Sequence, residues 1–158
     1  MFKISTAIIK GQVPGVTLAH LIHFYKSELQ IQSVSSVSVN SNTISFSNNL
    51  YKFIINRYSN KFSSFSSGQI KIADTGKEFI IDLEANMTRL FLNTGIIAIA
   101  VTCFFLFGSG FNVFPLVLGL IVFVLLTLIG YIFTKASFPV YFVNLRNKIQ
   151  QELELMKE

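Results

Sequence analysis

Residues 90–133 read LFLNTGIIAIAVTCFFLFGSGFNVFPLVLGLIVFVLLTLIGYIF, and this stretch decides the architecture. Its 44 residues include no Lys, Arg, His, Asp or Glu. About 20 apolar residues cross a bilayer core of roughly 30 Å, so the run suffices for two spans and a tight reversal. Gly108-Ser109-Gly110-Phe111-Asn112 supplies the reversal, because Gly and Asn take up backbone conformations that other residues resist. The spans are predicted at about 90–107 and 113–133, within a hairpin of 89–134. Pro115 falls in the first turn of the second span, where its missing N–H costs least. The competing reading is a pair of buried helices in a soluble protein. It fails on coverage, because the rest of a 158-residue chain cannot enclose 44 uncharged residues.

Charges next to the stretch set its expected orientation. Arg89 precedes the first span, Lys135 follows the second, and Arg146 and Lys148 lie a little further on. The reversal carries no charge. The positive-inside rule then places both termini in the cytoplasm, the layout of a prokaryotic inner (cytoplasmic) membrane protein. Met1–Lys10 lacks the basic region, apolar run and cleavage site of a signal peptide. The sequon at Asn86-Met87-Thr88 would face the cytoplasm and carry no glycan. The single Cys103 lies in the first span, so no intramolecular disulfide or thiolate metal cluster is expected.

Helices in lipid associate through small and hydroxyl residues. The first span offers Asn93, Thr94, Gly95, Ala98 and Thr102, and the second offers Gly119, Thr127 and Gly130. Counting inward from Arg89 and Lys135 puts Asn93 level with Thr127, Gly130 and Tyr131. Asn93, Gly95, Thr127 and Gly130 are therefore the expected packing contacts, with Asn93 expected to hydrogen-bond across the hairpin or to another copy. A transport path is disfavoured, because such paths usually contain an ionisable group and these spans hold none.

Residues 1–88 differ in character. With the boundary Arg89 they hold nine basic and five acidic residues. The predicted order is a strand at Phe2–Ile9, breakers at Gly11–Gly15, and a helix from Val16 to Leu29 with Leu18, Leu21, Ile22, Tyr25 and Leu29 on one stripe. Strands follow at Ser33–Val39, Thr43–Ser47, Leu50–Tyr58, Gly68–Ala73 and Lys77–Ala85. The expected fold class is α+β: an antiparallel sheet of five or six strands and one helix, followed by the transmembrane hairpin. Residues 135–158 are read as a cytoplasmic amphipathic helix with an apolar stripe at Phe142, Leu145, Ile149, Leu153 and Met156. That stripe can pack on the domain, lie in the interface or pair with another copy. Leu145, Ile149, Leu153 and Met156 are assigned to a partner or to self-association. Phe138-Pro139 marks either a break after the second span or a kink in a continuous helix.

Individual motifs carry little chemistry. His20 and His23, at i and i+3, are read as ordinary helical histidines, since only Glu28 lies near as a third ligand. Asp74-Thr75-Gly76 resembles the Asp-Thr-Gly of retroviral-type aspartic proteases over three residues only, and it departs from them at Lys77. Its spacing is that of a hairpin turn. Tyr51–Tyr58, with Lys61 and Phe62, interleaves aromatic and basic residues. Close to a membrane this favours anionic lipid over nucleic acid. Lys52, Arg57, Lys61, Arg89 and Lys135 are the expected membrane-surface contacts. Twelve serines between Ser33 and Ser67 lack a nucleophile elbow or a placed His–Asp pair.

No enzyme activity, cofactor, metal or nucleic acid is expected. The leading functional reading is a non-enzymatic, membrane-anchored binding or scaffold module, within a homo-oligomer or a complex of membrane subunits. The alternative is a self-assembling effector whose domain senses a signal and whose hairpins perturb the bilayer.

Overall fold

A computed structural model describes residues 1–49, 61–109 and 113–155; the side chains at 109, 150 and 152–155 lie outside that description. The expected strand at Leu50–Tyr58, the contacts assigned to Lys52 and Arg57, the centre of the reversal, Met156 and the side chain of Leu153 therefore fall outside the described residues.

Alternation of apolar and polar residues builds the sheet. Its strands are β1 (Phe2–Ile9), β2 (Ser36–Asn40), β3 (Thr43–Ser47), β4 (Ser67–Asp74) and β5 (Glu78–Asn86). They pair antiparallel throughout, in the order β1-β5-β4-β3-β2. In β5, Phe79, Ile81, Leu83 and Ala85 are buried on one face, facing Ile8, Ile4 and Phe2 across β1 and Ile72 and Ile70 across β4. The opposite face is polar. Across it Lys3 pairs with Glu84, its cross-strand neighbour, which also accepts from Gln69 Nε2 at 3.0 Å.

Helix α1 (Leu18–Ile31) starts at Thr17, whose hydroxyl accepts from the His20 amide at 3.3 Å. It runs two residues past the expected end. Ser33 takes a left-handed φ of 56°, and the Val34 amide returns to the Leu29 carbonyl at 3.2 Å. That cap uses up Ser33–Val34, so β2 begins at Ser36 rather than at Ser33.

Two long helices complete the chain: α2 (Thr88–Ser109) and α3 (Phe114–Leu155). Both contain segments long and apolar enough to cross a membrane. At 1.5 Å per residue, α2 is about 33 Å long. The two helices pack as an antiparallel hairpin, with Thr94 Oγ1 at 2.8 Å from Thr127 Oγ1. A Cβ on Gly119 would lie 1.7 Å from Thr102 Oγ1, and one on Gly130 would lie 2.6 Å from Leu90 Cδ1. Both glycines thus permit a close helix approach. Gly95 contributes less, since a Cβ there would meet Phe123 at an ordinary 3.8 Å. Asn93 is half-buried, and the hydrogen bond across the hairpin is made by Thr94. One residue turns a helix by about 100°, enough to exchange which of the two faces the partner.

The C-terminal segment is not a separate element. α3 runs unbroken for 42 residues through Pro139, so it extends about 63 Å. Its second half packs on the sheet: Phe138, Phe142, Leu145 and Ile149 belong to the same buried cluster as Ile70, Ile81 and Leu83. The assignment of Leu145 and Ile149 to a partner is thereby corrected. At 4% and 3% exposure they are consumed by this chain's own core. Phe138 is the centre of an aromatic group. Its ring meets Phe2, Phe62 and Phe65 edge-on at 5.5, 5.2 and 5.0 Å, and stacks on Phe142 at 6.2 Å.

Phe138→Ala is expected to lower the stability of the domain by about 3–5 kcal/mol, read as loss of cooperative thermal unfolding in detergent. Gly119→Ala is expected to loosen the hairpin, lowering its unfolding temperature more than Gly95→Ala does in the same assay.

Candidate functional site

Three features of the domain are candidates for function. The first is the junction. β5 ends at Asn86 and α2 begins at Thr88, so one residue, the buried Met87, joins this inner strand to the helix. Asn86 caps α2: its Oδ1 accepts from the Thr88 amide at 2.9 Å. Beside it Ser64 accepts a hydrogen bond from Thr134 of α3 at 3.1 Å. Arg89, expected at the lipid surface, is buried at 3% exposure. A one-residue link leaves the first turn of α2 no room to stand clear of the domain, and Leu90 packs on the same core. Lys135 is exposed, and its ammonium lies 5.9 Å from the Tyr131 ring centre.

The second feature is a buried carboxylate between α1 and α3. Glu28 is 6% exposed. Its Oε1 accepts from Tyr141 OH at 2.8 Å and from Gln32 Nε2 at 3.3 Å; its Oε2 lies 3.4 Å from Lys148 Nζ. Burying a charge is costly unless it is paired and hydrogen-bonded, and these donors meet that need. A cleft of about 310 Å³ opens beside it, walled by Val16, Leu21, Phe24, Ile31 and Ile149. His20 and His23 also line it. No group of three metal-ligating side chains occurs among the described residues.

The third feature is the open face of the sheet. Ser36, Ser38, Ser45 and Ser47 are exposed there, with Ser36 Oγ 2.8 Å from Ser47 Oγ. Asp74-Thr75-Gly76 is the turn between β4 and β5. Gly76 takes φ 86°, and its amide donates to Asp74 Oδ1 at 2.8 Å. The hydrogen bond from Lys10, followed by that amide, holds the Asp74 carboxyl below the usual carboxylate range. An aspartic-protease carboxylate must share a proton with a second carboxylate. Asp74 pairs with the Lys10 ammonium, and the segment has the geometry of the hairpin turn expected of it.

The expected aromatic–basic surface divides. Phe62 and Phe65 are buried at 1% and 0% exposure, and Asn48 Nδ2 binds the carbonyls of both at 3.0 Å. Lys61 is half-exposed, with its backbone amide held by Gln32 Oε1 at 3.0 Å. Glu28, Tyr141 and Lys148 were not read as a set from the sequence. The available signal was an acidic residue inside the apolar stripe of α1, next to the buried Leu29. Comparison with protein-family models, curated proteins and solved structures finds no match to this chain.

Two tyrosines make contrasting predictions. Tyr141→Phe removes a hydrogen bond to a carboxylate and is expected to cost about 1.5–3 kcal/mol. Tyr25 is 1% exposed, and its hydroxyl meets no hydrogen-bond partner among the described residues. Burial, opposed by the Arg146 charge, pushes its phenol up and keeps it neutral. Tyr25→Phe is therefore expected to leave stability unchanged or raise it. Thermal unfolding of the two variants side by side checks the contrast.

Proposed function

We propose that the protein is a membrane-anchored binding module. Its hairpin crosses the bilayer, and its α+β domain is clamped at the cytoplasmic surface as part of a larger membrane assembly. The observation that carries this reading is the double attachment of sheet to hairpin. Met87 joins β5 to α2 covalently, and Phe138 of α3 inserts into the core between Phe2, Phe62 and Phe65. A domain fixed at two points presents its surfaces at a set height and orientation, as a docking platform requires.

The hairpin supports insertion in lipid. Phe104, Phe107, Leu120 and Ile129 are 75%, 92%, 64% and 61% exposed. Exposed apolar surface on that scale is rare on soluble monomers. The free serine-rich face and the cleft between α1 and α3 are the surfaces left for partners. Both termini face the cytoplasm in this arrangement, consistent with Lys135 at the end of the second span.

Alkaline carbonate extraction followed by protease protection of terminal tags tests the anchoring. The protein is expected to stay in the membrane pellet with both tags digested only from the cytoplasmic side. Release by carbonate overturns the reading. Mass measurement in native-lipid discs is expected to show more than one chain of 17.8 kDa. A lone chain without co-purifying subunits argues against the assembly. Dye leakage on expression would point to bilayer perturbation instead.

A further inference from the structure

We infer that the cleft between α1 and α3 is a binding site for a primary amine carrying a small apolar body. The inference rests on reading the domain as a binding module and names the ligand class of one of its sites. The chain itself shows what the cleft recognises. Lys148 places its ammonium there, 3.4 Å from Glu28 Oε2 and 5.7 Å from the centre of the Phe24 ring. A carboxylate on one side and an aromatic face on the other is the arrangement that holds an alkylammonium. Lys148 is a tethered occupant of that subsite.

Lys148 is the exchangeable member of the set, and Glu28 is held in position by its other two donors. The Lys148 side chain is 47% exposed, on a flexible four-carbon stem, and its distance to Glu28 is long for a charge-assisted hydrogen bond. Glu28 keeps its position through Tyr141 and Gln32, which bind the other oxygen. When Lys148 swings out, a carboxylate 6% exposed is left facing the cleft without its cation. An incoming ammonium restores the pair, whereas an alcohol does not and a carboxylate repels. Val16, Leu21, Ile31 and Ile149 provide an apolar wall for the rest of the ligand. At about 310 Å³ the space lies at the small end of ligand cavities, enough for a single ring or a short alkyl chain.

The test is titration of the intact protein, in discs of zwitterionic lipid, with benzylammonium, benzyl alcohol and benzoate. Benzylammonium is expected to bind saturably, with the other two at least about tenfold weaker. Lys148→Met keeps the stem but removes the competing cation, and is expected to tighten benzylammonium binding by about three- to tenfold. Phe24→Leu is expected to weaken it by about two- to fivefold. Glu28→Gln is expected to abolish it; because that change touches the core, Lys148→Met carries the decision. Absence of saturable binding to both wild type and Lys148→Met overturns the inference. So does unchanged or weakened binding in Lys148→Met, or benzoate binding more tightly than benzylammonium. A failure here leaves carbonate extraction and tag protection unaffected, so it is distinguishable from failure of the anchoring itself.

Discussion

The structure depends on Phe138 being in two places at once: on the helix that leaves the apolar hairpin, and at the centre of the domain core. Because α3 is one continuous helix, whatever positions its lower half positions its upper half as well. Phe138 fills the space between β1, through Phe2, and the segment carrying Phe62 and Phe65. Met87 alone would leave the sheet free to turn about a single joint; Phe138, with Phe142, Leu145 and Ile149 behind it, supplies the second attachment. Two attachments remove the freedom that one leaves.

Polar chemistry follows the same axis. Glu28 sits where α1 crosses α3, and its buried charge is tolerated because Tyr141, Gln32 and Lys148 converge on it. The network adds directional contacts to a core that is otherwise apolar. It also sets a buried charge beside an apolar cleft. Attachment at the hairpin end and a charged cleft towards the far end of α3 are properties of one helix.

Much of the fold was legible because its signals are local. Strand alternation in 43–47 and 78–86 needs only neighbouring residues, and those strands match the expected positions within a residue. The uncharged run at 90–133 needs only composition. What was not legible involved choices between faces. Thr94 and Asn93 are equally suited to a hydrogen bond, and helix rotation selects the first. Phe62 beside Lys61 reads as surface until Asn48 folds the 61–66 segment over the core. Arg89 reads as a lipid anchor until the shortness of the junction buries it.

The amino-acid sequence by itself determined which segments are apolar, which alternate and where the chain turns, because these follow from hydration and backbone preference residue by residue. Tertiary structure alone decided what the C-terminal stripe covers. A stripe of Phe142, Leu145 and Ile149 states only that it must be buried, and a membrane surface, a second copy or this chain's own sheet would all satisfy it. The choice fell to the sheet, because an unbroken helix through Pro139 carries the stripe directly over a core that Phe2, Phe62 and Phe65 leave open for Phe138.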